Sequence, residues 1–369
     1  MSSNRASLEG TSKYKDRLSG KVAADHFRNT NDWWMSSIGL GTYLGDPDPE
    51  TDQLYEDAII TAVKLGCNVI DAAINYRFQR SERTIANAIG KLISDGKVAR
   101  NEIVLSTKGG FLSFDGDFPA NRQSYFQKEY FGPGIMSPED VVAGCHCMSP
   151  GYLEDQLDRS LRNLNMDCID IYFIHNPETQ LSEITRQDFL KRMLATFKML
   201  ERKVSEGKIQ MYGVATWNGF REKPDSKSYL SLEELIGLAR NAGRGDDHHF
   251  RAIQLPYNLS MPEALTLKNQ MLGSSRVSTL SAALKQNMIV LASASILQGR
   301  LSSSLPDEVV QVFQELKTDA QRSLQFVRST PGVTSALVGM SQKVHVEENL
   351  ELAKSSPRAW ATLQPLFSN

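Results

Sequence analysis

Residues 67–108 read CNVIDAAINYRFQRSERTIANAIGKLISDGKVARNEIVLSTK. An apolar run, NVIDAA, carries a carboxylate, Asp71, with a tyrosine five residues on, Tyr76. In residues 81–94, Ile85, Ala88, Ile89 and Leu92 recur at helical spacing, which predicts an amphipathic helix. A second apolar run, EIVLSTK, ends in Lys108. The order is strand, loop, helix, strand, with polar residues at the carboxyl ends of the strands. In parallel α/β folds those ends carry the chemistry. Residues 168–175, CIDIYFIH, repeat the pattern and end in His175.

The same alternation extends in both directions. Strands are expected at 36–43 (SSIGLGTY), 210–217 (QMYGVATW), 251–258 (RAIQLPYN), 288–295 (MIVLASAS) and 333–340 (VTSALVGM). Helices are expected at 50–65, 153–164, 186–206, 232–241, 277–285, 319–328 and 344–354. The strands are continuous apolar runs, as both-face burial requires. Eight such βα units predict a single-domain α/β fold, a (β/α)8 TIM barrel over residues 31–369, preceded by a polar, loosely packed arm at 1–30. An open doubly wound sheet is the rival, but GLGTYLG after the first strand does not fit the dinucleotide fingerprint G-x-G-x-x-G. Residues 109–152 break the rhythm with GG, DGD, GPG and SP and hold Phe111, Phe114, Phe118, Tyr125, Phe126, Tyr130 and Phe131. A loop of this length is functional or disordered, and its aromatics favour an ordered lid.

Bulk properties narrow the function. The net charge is -2 and no basic block stands out, which argues against nucleic acid as a partner. No apolar run reaches the roughly 20 residues that span a bilayer, so no membrane partner is expected. The polar N-terminus lacks the apolar core of a secretory signal. The four cysteines, Cys67, Cys145, Cys147 and Cys168, form no disulfide framework, which suits a reduced, cytoplasmic protein. Cys145-His146-Cys147 is too tightly spaced for a zinc knuckle, and no metal site is assigned. His248-His249 reads as a solvated turn, and Trp33-Trp34 as a plug for the barrel's closed end or a contact for the N-terminal arm.

In a barrel, Asp71, Lys108 and His175 stand at the ends of neighbouring strands about 4.8 Å apart, with Tyr76 just beyond the second. A phenol is a poor acid at neutral pH. An adjacent Lys108 ammonium would lower its pKa, and Asp71 would hold that ammonium in place. His175 could orient a carbonyl or relay its proton. The set suits protonation of a carbonyl oxygen as hydride reaches carbon, or the reverse.

The segments DAAINY, IVLSTKGG, LEDQLDRSLRNLNMDCIDIYFIH, GKIQMYGVATWN, AIQLPYNL and SALVGMSQKVHVEENL resemble, in order, the aldo-keto reductase superfamily over residues 38–353. The resemblance implies a catalytic tetrad of Asp71, Tyr76, Lys108 and His175, with Tyr76 as general acid/base. It also implies a nicotinamide cofactor, NAD or NADP, lying across the barrel mouth. Gly41, Thr42 and Tyr43 would pass near the nicotinamide, and Gln254 would bind its carboxamide. Gly339 and Ser341 would lie at the adenosine phosphate, and Glu348 and Asn349 at the adenine. Six positions depart from the family pattern. Ala215 and Thr216 replace a Ser-Asn pair, and Ser293 replaces a stacking aromatic. Ser341 and His345 stand where cations usually hold a 2′-phosphate, which favours NAD. Arg77 takes the place of a glycine and could face a polar or anionic substrate, with Trp217 lining the mouth. The implied activity is interconversion of a carbonyl compound and its alcohol, and the long lid, Arg77 and the missing cations lean towards a bulky polar substrate such as a sugar or glycoside. A cofactor-sensing protein like the potassium-channel β-subunits, and a reductase scaffold using retained cofactor for redox-assisted chemistry, are the alternatives.

Overall fold

The computed structural model describes residues 4–367. Eight parallel strands close into a barrel: β1 (Ile38–Gly41), β2 (Val69–Asp71), β3 (Val104–Gly109), β4 (Ile169–His175), β5 (Ile209–Ala215), β6 (Phe250–Pro256), β7 (Ile289–Ser293) and β8 (Ser335–Gly339). Closure is made by β8, which pairs with β7 on one side and with β1 on the other. A helix follows every strand, at Pro49–Lys64, Arg80–Ser94, Pro150–Leu164, Arg186–Ser205, Leu232–Ala242, Thr279–Lys285, Asp319–Ser329 and Lys343–Leu350. The helix starts follow from local chemistry. Asp48 caps Pro49–Lys64 by accepting from the Thr51 amide at 2.7 Å, and Thr185 does the same for Arg186–Ser205 through Asp188. Proline at the first turn starts Pro150–Leu164, and Asn165 ends it in the left-handed conformation.

Two shells of apolar residues make the core. The outer shell lies between strands and helices and includes Ile70, Leu105, Ile174, Val214 and Ile253. The inner shell fills the barrel with Val69, Val104, Ile171, Phe173, Met211, Ala252, Ile289, Leu291 and Leu337. Neighbours in the chain thus fall in opposite shells, the period-2 alternation of a strand with both faces buried. Gly213 belongs to this packing: a Cβ there would sit 2.8 Å from the Phe173 ring and 2.1 Å from the Ala252 carbonyl oxygen.

The same parity sets the mouth. Two residues beyond Val69 is Asp71; beyond Val104 come Ser106 and Lys108; beyond Phe173 is His175; beyond Ala252 is Gln254. These four strands therefore turn from apolar to polar as they rise through the lumen, whereas β5 stays apolar through Met211 and Ala215.

The closed end is sealed by a hairpin, Phe27–Thr30 paired with Trp33–Ser36. Trp33 and Met35 join the inner shell, while Trp34 lies under the Lys15 ammonium at 3.9 Å. Residues Leu8–Arg17 form a capped helix with Tyr14 buried, so the part of the expected arm that lies within the described residues, 4–30, packs on the barrel. His248 is buried rather than solvated, and His249 pairs with Glu201 at 2.7 Å. Residues 110–149 hold short helical turns at Arg122–Phe126 and Gln127–Phe131 and a packed aromatic set around Phe114, Tyr125, Phe126 and Tyr130. Among the described residues, no helix is long and apolar enough to cross a membrane.

Candidate active site

Asp71, Tyr76, Lys108 and His175 converge at the carboxyl end of the barrel. Lys108 is fully buried and its Nζ donates to Asp71 Oδ2 at 2.6 Å, to the Ala72 carbonyl at 2.6 Å and to the Tyr76 hydroxyl at 3.3 Å. Asp71 Oδ1 accepts from Ser106 Oγ at 2.7 Å and from Gln254 Nε2 at 2.9 Å. The carboxylate is thus saturated by three side chains that approach from two strands. The Tyr76 and His175 rings lie 5.9 Å apart, edge to face.

The electrostatics follow from burial and neighbours. Burial by itself pulls Lys108 down, but Asp71 and Tyr76 turn the net shift upward, so the ammonium stays charged. Tyr76 was expected to be a stronger acid than free tyrosine. Lys108 does pull its pKa down, but crowding by the surrounding protein outweighs that and leaves the phenol raised. His175 is driven well below the ordinary imidazole range by burial, with Lys108 and His146 adding to the effect, and is therefore neutral. Its Nδ1 has no hydrogen-bond partner among the described residues.

Tyr76 stands on an unusual turn. Arg77, Phe78 and Gln79 all adopt left-handed backbone, with φ of 46°, 53° and 71°. Such a conformation costs an L-residue about 1–2 kcal/mol, and a glycine would take it freely. Arg77 does not face the mouth, which corrects the expected substrate role. Its side chain is 1% exposed, bonds Asp52 at 2.5 Å and lies over the Tyr55 ring at 4.9 Å.

The positions expected around a cofactor divide. Thr216 is buried with its hydroxyl unpartnered, and Asn349 is buried with its Oδ1 unpartnered, among the described residues. Unsatisfied buried polar atoms of this kind suit a bound polar ligand. Gly41, Ser293 and Gly339 end β1, β7 and β8 at the mouth, and Tyr43 is exposed there with its ring 5.0 Å from that of Tyr76. Ser341 is half-buried and His345 exposed beside it. Thr42 is different: its hydroxyl is bound to the Asp71 carbonyl at 2.9 Å and to Ser81 at 2.5 Å, so it offers a ligand nothing. Gln254 donates one amide N–H to Asp71 through Nε2, and Glu348 accepts from Thr318 at 2.7 Å.

Three further residues hold the site. Ser106 could have been found by counting back two from Lys108. His146 is fully buried and bonds the His175 carbonyl through Nε2 at 2.7 Å, while Gln180 bonds its Nδ1 at 2.9 Å. A carbonyl only accepts, so His146 donates from Nε2 and accepts at Nδ1. Glu178 accepts from the amides of Trp217 at 2.7 Å, Asn218 at 2.9 Å and Gly219 at 3.3 Å, which fixes the turn that carries the exposed Trp217. Neither His146 nor Glu178 has a local sequence pattern that gives it away.

Fold and site together define a (β/α)8 barrel with tyrosine, lysine, aspartate and histidine gathered at its mouth. Residues 37–222 match the Aldo/keto reductase family, and the chain belongs to that family as an oxidoreductase of its type. It is 23% identical over 335 residues to an uncharacterized oxidoreductase of Bacillus subtilis, spanning 88% of this chain and 90% of that one. It is 30% identical over 213 residues to the NADH-specific methylglyoxal reductase of Escherichia coli, spanning 56% and 55%. Among solved structures it resembles the glycerol dehydrogenase of Gluconobacter oxydans, with a TM-score of 0.64 at 18% identity over 94% of this chain and 95% of that one. A Klebsiella pneumoniae aldo/keto reductase solved with NADP and acetate gives a TM-score of 0.62 at 20% identity, over 93% and 94%.

Proposed function

We propose that this protein interconverts a small aldehyde or ketone and its alcohol, with Tyr76 exchanging the proton at oxygen. The observation that carries this reading is the Lys108 ammonium held between Asp71 and the Tyr76 hydroxyl. A nicotinamide cofactor, when bound, supplies or accepts the hydride. In reduction, the Tyr76 O–H bond breaks as its proton passes to the substrate oxygen. Lys108, 3.3 Å away, stabilises the phenolate that remains. The raised pKa of resting Tyr76 keeps it protonated and ready to donate. Neutral His175 presents a ring that can donate to or accept from the substrate oxygen without adding charge.

Thr216, Gln254, Gly339, Ser341 and Asn349 are the residues we assign to the cofactor. The unpartnered Thr216 hydroxyl and Asn349 carbonyl oxygen support the assignment. Absence of arginine or lysine at Ser341 and His345 supports NAD over NADP. The Escherichia coli relative described as NADH-specific agrees with this preference. With Arg77 turned away, nothing at the mouth supports a charged substrate on its account.

Fluorescence titration with NADH and NADPH, followed by an assay over a panel of aldehydes and ketones, tests the proposal. NADH should bind more tightly than NADPH. Tyr76→Phe should keep cofactor affinity and lose hydride transfer by roughly 10²–10⁴-fold. Tighter NADPH binding would overturn the cofactor preference. Full activity in Tyr76→Phe would overturn the mechanism.

A further inference from the structure

The chain spends three consecutive left-handed residues immediately after Tyr76, and none of them is glycine. A turn of this kind persists only where its surroundings over-determine it. The surroundings do so from three sides. Arg77 and Arg80 both reach Asp52 on Pro49–Lys64, each at 2.5 Å, one to each carboxylate oxygen. Thr84 donates to Asp52 Oδ1 at 3.1 Å as well. Gln79, buried to 1% exposure, receives the Asn163 amide at 3.0 Å from Pro150–Leu164 and donates to the Phe114 carbonyl at 3.0 Å. Phe78 accepts from the Gly116 amide at 2.8 Å through its carbonyl, and its ring packs on Phe114 and Phe118 with centroids 5.7 and 6.1 Å away. Every residue of the turn is therefore tied to an element outside it.

We propose that the Arg77–Asp52 pair is a positioning device for Tyr76. It holds the left-handed turn that sets the phenol against Lys108. This rests on the role assigned to Tyr76 above. The argument is geometric. The end of β2 at Asp71 lies five residues before Tyr76, and the backbone between is held by Ala72 N–H to the Ser106 carbonyl at 2.9 Å, Lys108 Nζ to the Ala72 carbonyl at 2.6 Å, Ile74 N–H to the Lys108 carbonyl at 3.2 Å, Ser113 Oγ to the Ile74 carbonyl at 3.2 Å and Tyr76 N–H to the Ala73 carbonyl at 3.0 Å, all of them on the side of Tyr76 away from the left-handed turn. On the far side, the first regular element begins at Arg80. The hydroxyl meets Lys108 at 3.3 Å, a long hydrogen bond that a small shift of the turn would break. The Arg77 side chain braces the turn against the neighbouring helix, inserted between Asp52 and the Tyr55 ring. A mere surface ion pair would not be buried to this degree on the arginine side.

The test compares the wild-type chain with Arg77→Gly and Asp52→Asn. Arg77→Gly removes the brace and relieves the backbone conformation together, whereas Asp52→Asn weakens the brace with residue 77 unchanged, so the pair of variants separates the two roles. Crystal structures of both variants report the distance from the Tyr76 hydroxyl to Lys108 Nζ. We expect that contact to open beyond hydrogen-bond distance in Arg77→Gly and to lengthen in Asp52→Asn. Kinetics give the second readout: kcat should fall about tenfold or more, with KM and cofactor Kd within about twofold of wild type, and Arg77→Lys should recover part of the loss. The conversion is about 1.4 kcal/mol per tenfold. Retention of the Tyr76–Lys108 contact in both variants would overturn the proposal, as would a wild-type kcat in Arg77→Gly. If the wild-type chain reduces no carbonyl at all, the functional reading above fails, and the crystallographic distance still decides whether Arg77 positions Tyr76.

Discussion

At the scale of single residues, the decisive pair is Lys108 and Asp71. Both are buried, and Asp71 keeps two neutral donors, Ser106 and Gln254, besides the ammonium. Lys108→Met would leave the carboxylate buried with those two alone. Breaking a buried pair this way costs roughly 3–5 kcal/mol, so the urea midpoint should fall markedly and hydride transfer should drop with it. Adding Asp71→Leu should return much of the stability and none of the activity. Equal losses in the single and double variants would show that the pair is not coupled in this way. These two residues were legible in the sequence because each ends an apolar run and faces the lumen by simple parity. Arg77 was misread for a reason of the same scale. Its place after Tyr76 suggested the mouth, but a left-handed φ reverses the direction of the side chain, and no sequence pattern announces that conformation in an arginine.

At the scale of elements, strands and helices of the barrel could be read from the chain because their apolar periods are long and their breaks sharp. The first 30 residues could not. Their helix is mostly polar, and it is held by a few deep contacts such as Tyr14 donating to the Val63 carbonyl at 2.5 Å. The loops that build the mouth were equally opaque, since their bonds join positions far apart in the chain. Glu178 shows this: one oxygen gathers three amides of the turn after β5, some 40 residues on. Glu178→Gln keeps an acceptor and removes its charge. Charge-assisted bonds are worth about 1 kcal/mol more than neutral ones, so amide hydrogen exchange at Trp217, Asn218 and Gly219 should speed up by roughly fivefold while the strands stay protected. Unchanged exchange at those amides would show that Glu178 does not hold the turn.

At the scale of the whole molecule, the barrel has two polar ends with opposite requirements. The mouth keeps Lys108 charged and His175 neutral, as the proposed proton transfer needs, whereas the closed end buries polar groups to seal the fold. There Arg328 donates to Ser37 Oγ at 3.0 Å and to the Leu352 carbonyl at 2.6 Å. Ser37 in turn faces His26 Nδ1 at 3.1 Å, and His26 Nε2 faces the Gly66 carbonyl at 2.9 Å. The ring therefore donates from Nε2 and accepts at Nδ1, and a second proton would take away that acceptor beside two arginines, Arg328 and Arg28. Burial first, and then those cations, lower its pKa to about 3. The unfolded chain binds that proton near pH 6.5, so the unfolded state holds more protons between the two values and stability rises with pH there. The contribution is complete above about pH 6.5 and is lost progressively as pH falls toward 3. Between pH 6.5 and 5 the loss from His26 alone is about 2 kcal/mol, at 1.36 kcal/mol per pH unit. His146 and His248, lowered to about 4, and His175 act in the same direction, so the wild-type protein should destabilise steadily through this range. His26→Gln can still donate to Gly66 and cannot titrate. Its stability difference between pH 7 and pH 5, taken from urea unfolding, should be smaller than that of wild type by about 2 kcal/mol. An identical pH dependence in the two proteins would mean that His26 is protonated in the folded barrel, and that the closed end tolerates a third cation beside Arg28 and Arg328.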